Sequence, residues 1–568
     1  MTAADTDAVA DARPLALAER VGRTLGLDER DLRWLGLALL PGVVAVGVYL
    51  VTNPYPAYGG GLYATIAAEI AARGYAPPAA IDGYARTVPF AYPPLGFYGF
   101  AVLLDLGVDA VTVARFLPGV AVVAGLVPAY LLGRDYTGSR PAGTATAAAV
   151  ALNPHVIEWH VSAGGIVRGF AFCYALWAVY AGYHVFTGGG RRAVLAGAVA
   201  VGLTGLTHPT YALFAVASYL VLWVGLDRSA RGLARGLVVG AGAAALASPW
   251  LGWVVATHGP GVFTAAAGTH GGLGGGLDAL LAEPSAVRLV PLALAGVVLA
   301  LRRDATVAAW VVVATLLFFQ VRFAYAVGAL ALAVVGLGVA ERLDRTEGAL
   351  VAPGSRVVAA ALVVLATVAG GGVLAARATA PTDPETPSFL DDESVDAAEW
   401  ASAETPADAR FLVLGDAAEW FPALADRPIA VGPWGVEWAG TDAYYRQLAA
   451  FRTVSTCERA ACVESAAAAV DADPAYVLVP KGRYTVRGAP VVQFGTLDRS
   501  FAVADGWTRV HENDGVVVFR ATDGGADAGS TGAAGGARQK TPASAPASAS
   551  THVTSPTASV WRSARATP

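Results

Sequence analysis

A small set of side chains in the apolar part of this 568-residue chain could do chemistry. Glu158 and His160 flank Trp159 in a short polar stretch. A Glu-x-His pair on a loop is either an acid/base pair or an interfacial anchor, and two groups are too few to hold a metal. Arg168 and Arg322 each stand at the start of an apolar run, the second between Gln320 and Tyr325. A guanidinium at membrane depth is costly, so it has a function or a counter-ion. Bound phosphate would satisfy both arginines, as would Glu158 acting as their counter-ion. Glu69 is the nearest acid in an earlier polar loop, either a proton acceptor or part of a solvated helix face. Tyr63, Tyr92 and His208 complete the set; His208, in Thr207-His208-Pro209, either faces a cavity or sits satisfied in a helix-breaking turn. Carboxylates and imidazoles can activate a hydroxyl, while cations stabilise a phosphate leaving group.

The elements that would carry these groups follow from composition. Hydrophobic residues make up 55% and charged residues 15%, and the mean hydropathy is +0.51. Soluble chains carry about 25% charge, which argues against a secreted enzyme, a nucleic-acid binder or a disordered scaffold. An α-helical polytopic membrane protein is expected. Arginine clusters at 20–33, 134–140, 191–192, 228–235, 302–303 and 342–356 separate about eleven apolar stretches near 34–51, 110–133, 142–154, 166–187, 193–207, 209–226, 236–257, 288–301, 305–319, 323–340 and 356–376. With the amino terminus cytoplasmic, every cluster falls inside, and the loop 53–92 and the segment after residue 380 fall outside. Leu95–Leu106 is too short to cross and reads as an interfacial or re-entrant helix.

Residues 381–522 hold 22 of the 44 acidic and 11 of the 39 basic residues. They read as a small extracytoplasmic α/β domain with strands at 411–414, 476–480 and 516–519 and helices near 442–451 and 464–470. Residues 1–33 form a cytoplasmic segment that does not look like a cleavable leader, 34–376 the membrane domain, and 523–568 a disordered tail. Cys457 and Cys462 are five apart and are either a local disulfide or a free pair. Gly432–Trp438 is an aromatic cluster, Trp434 and Trp438, around one acid, Glu437, for stacking on a sugar or for packing a small core.

Within 34–376 the chain resembles the GT-C superfamily of membrane glycosyltransferases, which includes protein O-mannosyltransferases and aminoarabinose transferases. The resemblance rests on a long first loop with a surface helix from Leu62 to Ala72, the entry Tyr92-Pro93-Pro94-Leu95, Ala114-Arg115-Phe116-Leu117-Pro118, the exit Leu132-Gly133-Arg134-Asp135-Tyr136-Thr137-Gly138, Asn153-Pro154, Leu206-Thr207-His208-Pro209 and a carboxy-terminal domain. It implies inverting transfer of a sugar from a polyprenyl- or dolichyl-phosphate donor to a glycan, lipid or protein acceptor at the outer face of the cell membrane. Glu69, Glu158 and His160 would be the catalytic candidates and Arg168, Arg322 and Tyr325 the donor-phosphate contacts. Two positions depart from the family pattern: Gly59-Gly60-Gly61 stand where an acidic pair is expected before Tyr63, and Arg168 stands at a second position that is often acidic. No cofactor is implied, a divalent metal is left open, and no nucleic-acid partner is expected. The second reading is a non-catalytic relative that binds lipid or glycan, or assists membrane assembly. A transporter ranks last because no internal duplication is evident.

Overall fold

The computed structural model describes residues 26–522, apart from 268, 270–286, 288, 303, 348–353, 380–386 and 494. The expected tail 523–568 and most of the amino-terminal segment lie outside the described residues.

Each of the apolar stretches folds as a helix. The series begins with α1 (Glu29–Thr52), which starts at a reciprocal cap: the Asp28 carboxylate accepts from the Asp31 N–H at 2.7 Å and the Asp31 carboxylate accepts from the Asp28 N–H at 3.1 Å. The surface helix α2 (Gly61–Ala72) follows, closed by Gly74 at φ +61°, and then a two-residue hairpin of β1 (Ala80–Ile81) and β2 (Val88–Pro89). After α3 (Leu95–Asp105), α4 (Ala110–Thr137) runs from an Asp109 cap to a left-handed Gly138. Next come α5 (Arg140–Ala151), the short α6 (Pro154–Val161) and α7 (Gly165–Phe186). The rest of the apolar part is α8 (Gly190–Gly205), α9 (Pro209–Leu226), α10 (Ala230–His258), α11 (Val290–Leu301), α12 (Ala305–Phe318), α13 (Val321–Glu347) and α14 (Gly354–Ala378).

Seven of these helices among the described residues are long and apolar enough to cross a membrane: α1, α4, α7, α9, α10 and the apolar parts of α13 and α14. This is a multi-pass membrane architecture. The other four expected spans are helical but short, with 12, 16, 12 and 14 residues in α5, α8, α11 and α12. A full crossing needs about 20. Asn153-Pro154 explains the first of these: the Asn153 side chain accepts from Val156 N–H and the proline opens a new helix, so the apolar run breaks. Glu158, Trp159 and His160 therefore lie on a helix and not on the loop expected from the sequence.

The two ends of the bundle differ. At one end Arg140 donates to both Asp31 and Asp28 at 2.7 Å, Arg134 lies 3.4 Å from Asp31, and Asp135 accepts from Tyr180 at 2.9 Å with His184 at 3.3 Å. At the other end Arg115 donates to the carbonyls of Asn53 (3.0 Å) and Leu50 (2.7 Å), satisfying the last turn of α1. The starts of α7, α9 and α13, and hence Arg168, His208 and Arg322, lie at this second end.

The chain after α14 builds a four-stranded sheet from β3 (Phe411–Val413), β4 (Tyr476–Pro480), β7 (Trp507–Glu512) and β8 (Val516–Ala521), in the order β3-β4-β8-β7. β3 and β4 are parallel and the other pairs antiparallel. A hairpin of β5 (Gly482–Val486) and β6 (Ala489–Gln493) stands apart from that sheet. Cys457 and Cys462 are joined as a disulfide. The three strands expected from the sequence are present. The hairpin and β7 were not expected: β5 and β6 are only five residues each, and β7 is broken up by Thr508, Arg509, His511 and Glu512.

The sheet domain shares one core with the first loop: Leu62, Ile66 and Ile70 of α2, Phe97 and Phe100 of α3, and Phe411, Trp420 and Val477 of the sheet side are all buried in one cluster. Backbone bonds stitch the two together, from Tyr58 N–H to Pro387 O at 3.0 Å and from Ile429 N–H to Gly83 O at 2.9 Å.

Candidate functional site

The site forms where the second end of the bundle meets the sheet domain, and Trp159 of α6 is its floor. The Arg168 guanidinium lies 4.7 Å from the Trp159 ring centroid and that of Arg322 lies 5.1 Å from it. Arg168 Nε also donates to Trp159 O at 3.4 Å, and Tyr58 stacks on the same indole with centroids 6.2 Å apart. Arg322, itself buried, is held further by Tyr211 and Phe323 at 5.7 and 5.3 Å. Two guanidiniums on one indole gain cation–π attraction but repel each other. The Arg168 guanidinium lies directly against Gly164, where a Cβ would overlap it as it is placed. Among the described residues no carboxylate lies within ion-pair distance of Arg168.

The sheet domain supplies carboxylates. After β3 the chain turns through Gly415 at φ +80° into a 3-10 turn, Asp416–Glu419, followed by Trp420. The Asp416 carboxylate accepts from the N–H groups of Arg487 and Gly488, both at 2.8 Å, which fixes the β5–β6 turn against this segment. Tyr84 OH donates to Glu419 O at 2.8 Å and Trp420 Nε1 donates to Tyr58 O at 3.4 Å. The Glu419 side chain is therefore carried on a backbone fixed from the loop side, and it is buried.

Burial in this low-dielectric seam pushes the Glu419 carboxyl up to about 8; the Arg487 and Arg168 charges oppose the rise, and Asp416 and Glu437 add to it. Burial likewise raises Asp416 against the two backbone N–H donors, and raises Glu437, whose carboxylate accepts from Tyr92 OH. Tyr63, also raised by burial, feels both Arg168 and Glu419. Arg168 thus lies within electrostatic reach of the membrane-side aromatic cluster and of the sheet-domain acid.

A buried acid with a raised value makes stability depend on pH with a definite sign. The unfolded chain ionises near the ordinary 4.5 while the folded one holds the proton to about 8, so the stability associated with a neutral Glu419 is fully present below 4.5 and is lost as pH rises to about 8. The expected loss is a few kcal/mol, shared with Asp416 and Glu437, which act in the same direction. Thermal unfolding of the detergent-solubilised full chain checks this: Tm falls from pH 5 to pH 8, and Glu419→Gln flattens the slope. A wild-type Tm that rises over that interval would contradict it.

The structure brings some of the expected residues together and leaves others apart. Arg168, Arg322 and Tyr63 converge, with Tyr325 one turn along α13 from Arg322. Tyr92 joins through Glu437 and through its ring, 6.4 Å from that of Tyr63 and 4.8 Å from Trp438. Glu158 and His160 do not form a pair: two residues apart on a helix, they point about 200° from each other. His160 is buried, its Nδ1–H donates to Val156 O, and its Nε2 accepts from Tyr211 OH at 2.7 Å, so both nitrogens are engaged in packing α6. Glu69 pairs with Arg73 at 2.6 Å on a half-exposed face of α2, about 120° around the helix from Tyr63. His208 caps α9, accepting from Thr210 N–H at 3.3 Å, with its ring edge-on to Tyr211. Asp82 accepts from Thr87 in an exposed turn. Of the Gly432–Trp438 aromatics, Trp434 packs on Phe451 while Trp438 meets Tyr92.

Glu419, Arg487 and Tyr84 were not among the sequence candidates, and Glu437 was read only as the acid within the Gly432–Trp438 aromatic cluster. The signal that could have found Glu419 is Gly415-Asp416-Ala417-Ala418-Glu419-Trp420, two acids three apart directly after a strand.

No protein-family model matches the chain, and no curated protein matches it. Among solved structures, the oligosaccharyltransferase of Archaeoglobus fulgidus, solved with a tethered acceptor peptide that contains the NVT sequon, aligns with TM-score 0.52 and 16% identity over 79% of this chain and 69% of that one. Arabinofuranosyltransferase AftD from Mycobacteria aligns with TM-score 0.49 and 18% identity over 86% of this chain, which spans 40% of that one. Both are membrane glycosyltransferases of the GT-C superfamily, and the likeness to the first is one of fold. The polytopic helical architecture with a small carboxy-terminal sheet domain is the fold expected from the sequence.

Proposed function

We propose that the chain is a membrane glycosyltransferase that takes a sugar from a polyprenyl- or dolichyl-phosphate donor and passes it to an acceptor at the outer face of the cell membrane. The carrying observation is the pair of guanidiniums on Trp159, at the end of the bundle where the sheet domain docks. A phosphate on a lipid arrives at that depth with its tail in the hydrocarbon, and planar guanidiniums match its oxygens. Tyr63 lies within electrostatic reach of Arg168, Tyr325 follows Arg322 by about one turn of α13, and Glu158 adjoins Trp159 on α6; these are the further candidates for contact with donor or acceptor. The first loop and the sheet domain offer aromatic and acidic surface to a hydroxylated acceptor.

Charge supports one sidedness. Arg134 and Arg140 gather at the end of the bundle opposite the site, which favours that end as cytoplasmic and the sheet domain, with its disulfide, as extracytoplasmic. A phosphatase reporter fused after Thr522 is expected to be active, and a cytoplasm-only reporter there inactive; the reverse result would overturn the topology.

The functional test is deletion and complementation in the source cell. Deletion is expected to remove a sugar from surface glycans, the wild-type chain to restore it, and Arg168→Gln to fail to restore it. Unchanged glycans on deletion would leave the binding or assembly reading in its place.

A further inference from the structure

We propose that Glu419, carried by the sheet domain, is the carboxylate that takes the acceptor's proton, and that Gly59, Gly60 and Gly61 are bare so that it can be seated against the first loop. The inference rests on the glycosyltransferase reading above and adds to it the residue that activates the acceptor.

Three contacts carry it. A Cβ on Gly59 would fall inside the Glu419 carboxylate, so that carboxylate lies directly on the Gly59 backbone. A Cβ on Gly60 would sit 2.7 Å from the Ala163 Cβ and 3.1 Å from the Trp420 ring, and one on Gly61 would run into the Glu419 carbonyl and Trp420 Cα. The three consecutive glycines therefore form a shallow bed whose shape is the complement of Glu419-Trp420. None of the three has a positive φ that would demand glycine on conformational grounds; the requirement is space. The bed also adjoins Arg168: Ala163, which a Cβ on Gly60 would meet, is followed by Gly164, where a Cβ would overlap the Arg168 guanidinium.

A buried carboxyl needs a reason to remain. Glu419 has no ion-pair partner among the described residues, and its nearest influences are the charges of Arg487 and Arg168 from two other elements, with Asp416 and Glu437 opposed. With the Glu419 carboxyl raised to about 8, the ionised fraction that can accept a proton from a hydroxyl grows as pH rises toward that value. In the step, the acceptor oxygen forms a bond to the anomeric carbon of the donor as the bond from that carbon to the lipid phosphate oxygen breaks. The electron pair leaves with the phosphate, held by Arg168 and Arg322, and the hydroxyl proton moves to the Glu419 carboxylate. Atoms and charge balance with no further reactant.

The geometry supplies an unusual test, because the carboxylate can be returned from the other side. In the deletion strain, Glu419→Gln and Glu419→Ala are expected to lower transfer about 10²–10⁴-fold, while Glu419→Gln still binds dolichyl phosphate in nanodiscs as the wild type does. The double variant Gly59→Asp/Glu419→Ala places a new carboxylate in the space the old one leaves, and is expected to recover at least tenfold over Glu419→Ala alone. Gly59→Asp alone, with two carboxylates competing for one space, is expected to be inactive. Wild-type transfer by Glu419→Gln would overturn the inference and leave the phosphate site standing. Absence of both a glycan phenotype and dolichyl-phosphate binding in the wild-type chain would overturn the underlying reading as well. Should Glu419→Gln fail to accumulate, the double variant decides, and its normal accumulation without recovered transfer counts against Glu419.

Discussion

Arg168→Gln is expected to weaken binding of dolichyl phosphate to the full chain in nanodiscs by about 30- to 1000-fold, the equivalent of about 2–4 kcal/mol. The size of the effect comes from where the guanidinium sits. It is stacked on Trp159, braced by the Trp159 carbonyl, and free of any carboxylate counter-ion among the described residues, so its charge is available to a ligand. A phosphate there meets Arg168 and Arg322 together, and removal of one cation leaves the other to balance the anion alone. Arg168→Lys is expected to recover only part of the loss, because an ammonium neither stacks on the indole nor presents a two-pronged donor. Direct titration with dolichyl phosphate checks both variants. Affinity unchanged in Arg168→Gln would remove Arg168 from the site.

Gly61→Ala is expected to be the most destabilising single-methyl change in the seam between the first loop and the sheet domain. The added Cβ meets the Glu419 carbonyl and Trp420 Cα, both backbone atoms, so no rotamer change relieves the clash. Overpacking of this kind costs about 1–3 kcal/mol or more. Here the strain acts on the segment that Tyr84 and Tyr58 fix to the loop, so the sheet domain is expected to shift off its bed. Thermal unfolding and the rate at which protease releases the sheet domain both report it. Gly36→Ala in α1, where a Cβ meets nothing within 4 Å, is the matched control and is expected to leave Tm unchanged or slightly raised. Equal Tm for Gly61→Ala and wild type would mean that the two surfaces are not pressed together.

The contrast between what was legible in the sequence and what was not follows from the range of the interactions involved. Helices such as α1, α4 and α13 announce themselves because a crossing needs a long apolar run and its caps, Asp28 and Asp109, are local. α6 did not, because the short polar stretch around Glu158 reads as a loop, although Asn153-Pro154 starts a helix there. That misreading made Glu158 and His160 look like a loop pair, whereas helical geometry separates them. The β5–β6 hairpin was hidden for a different reason. Its tight turn uses Arg487 and Gly488, both at positive φ, and an arginine in that position does not carry the usual Asn-Gly turn signal.

The candidate site was half legible. Arg168 and Arg322 stood out because cations at the start of apolar runs are rare and costly. Glu419 did not, because it approaches Gly59 across 360 residues of chain and nothing local marks that encounter. The glycine triplet was visible as a missing acid, yet its physical meaning lay in what fills it. Three adjacent residues without side chains mark a place where something else comes close.

The most direct measurement of the account is an electron cryo-microscopy structure of the full chain in nanodiscs with dolichyl phosphate. The phosphate is expected within about 3 Å of the Arg168 and Arg322 guanidiniums, with the Glu419 carboxyl facing the same chamber from the Gly59 side. A phosphate bound elsewhere, with both arginines turned to protein carboxylates and the chamber lined by aliphatic side chains, would contradict it.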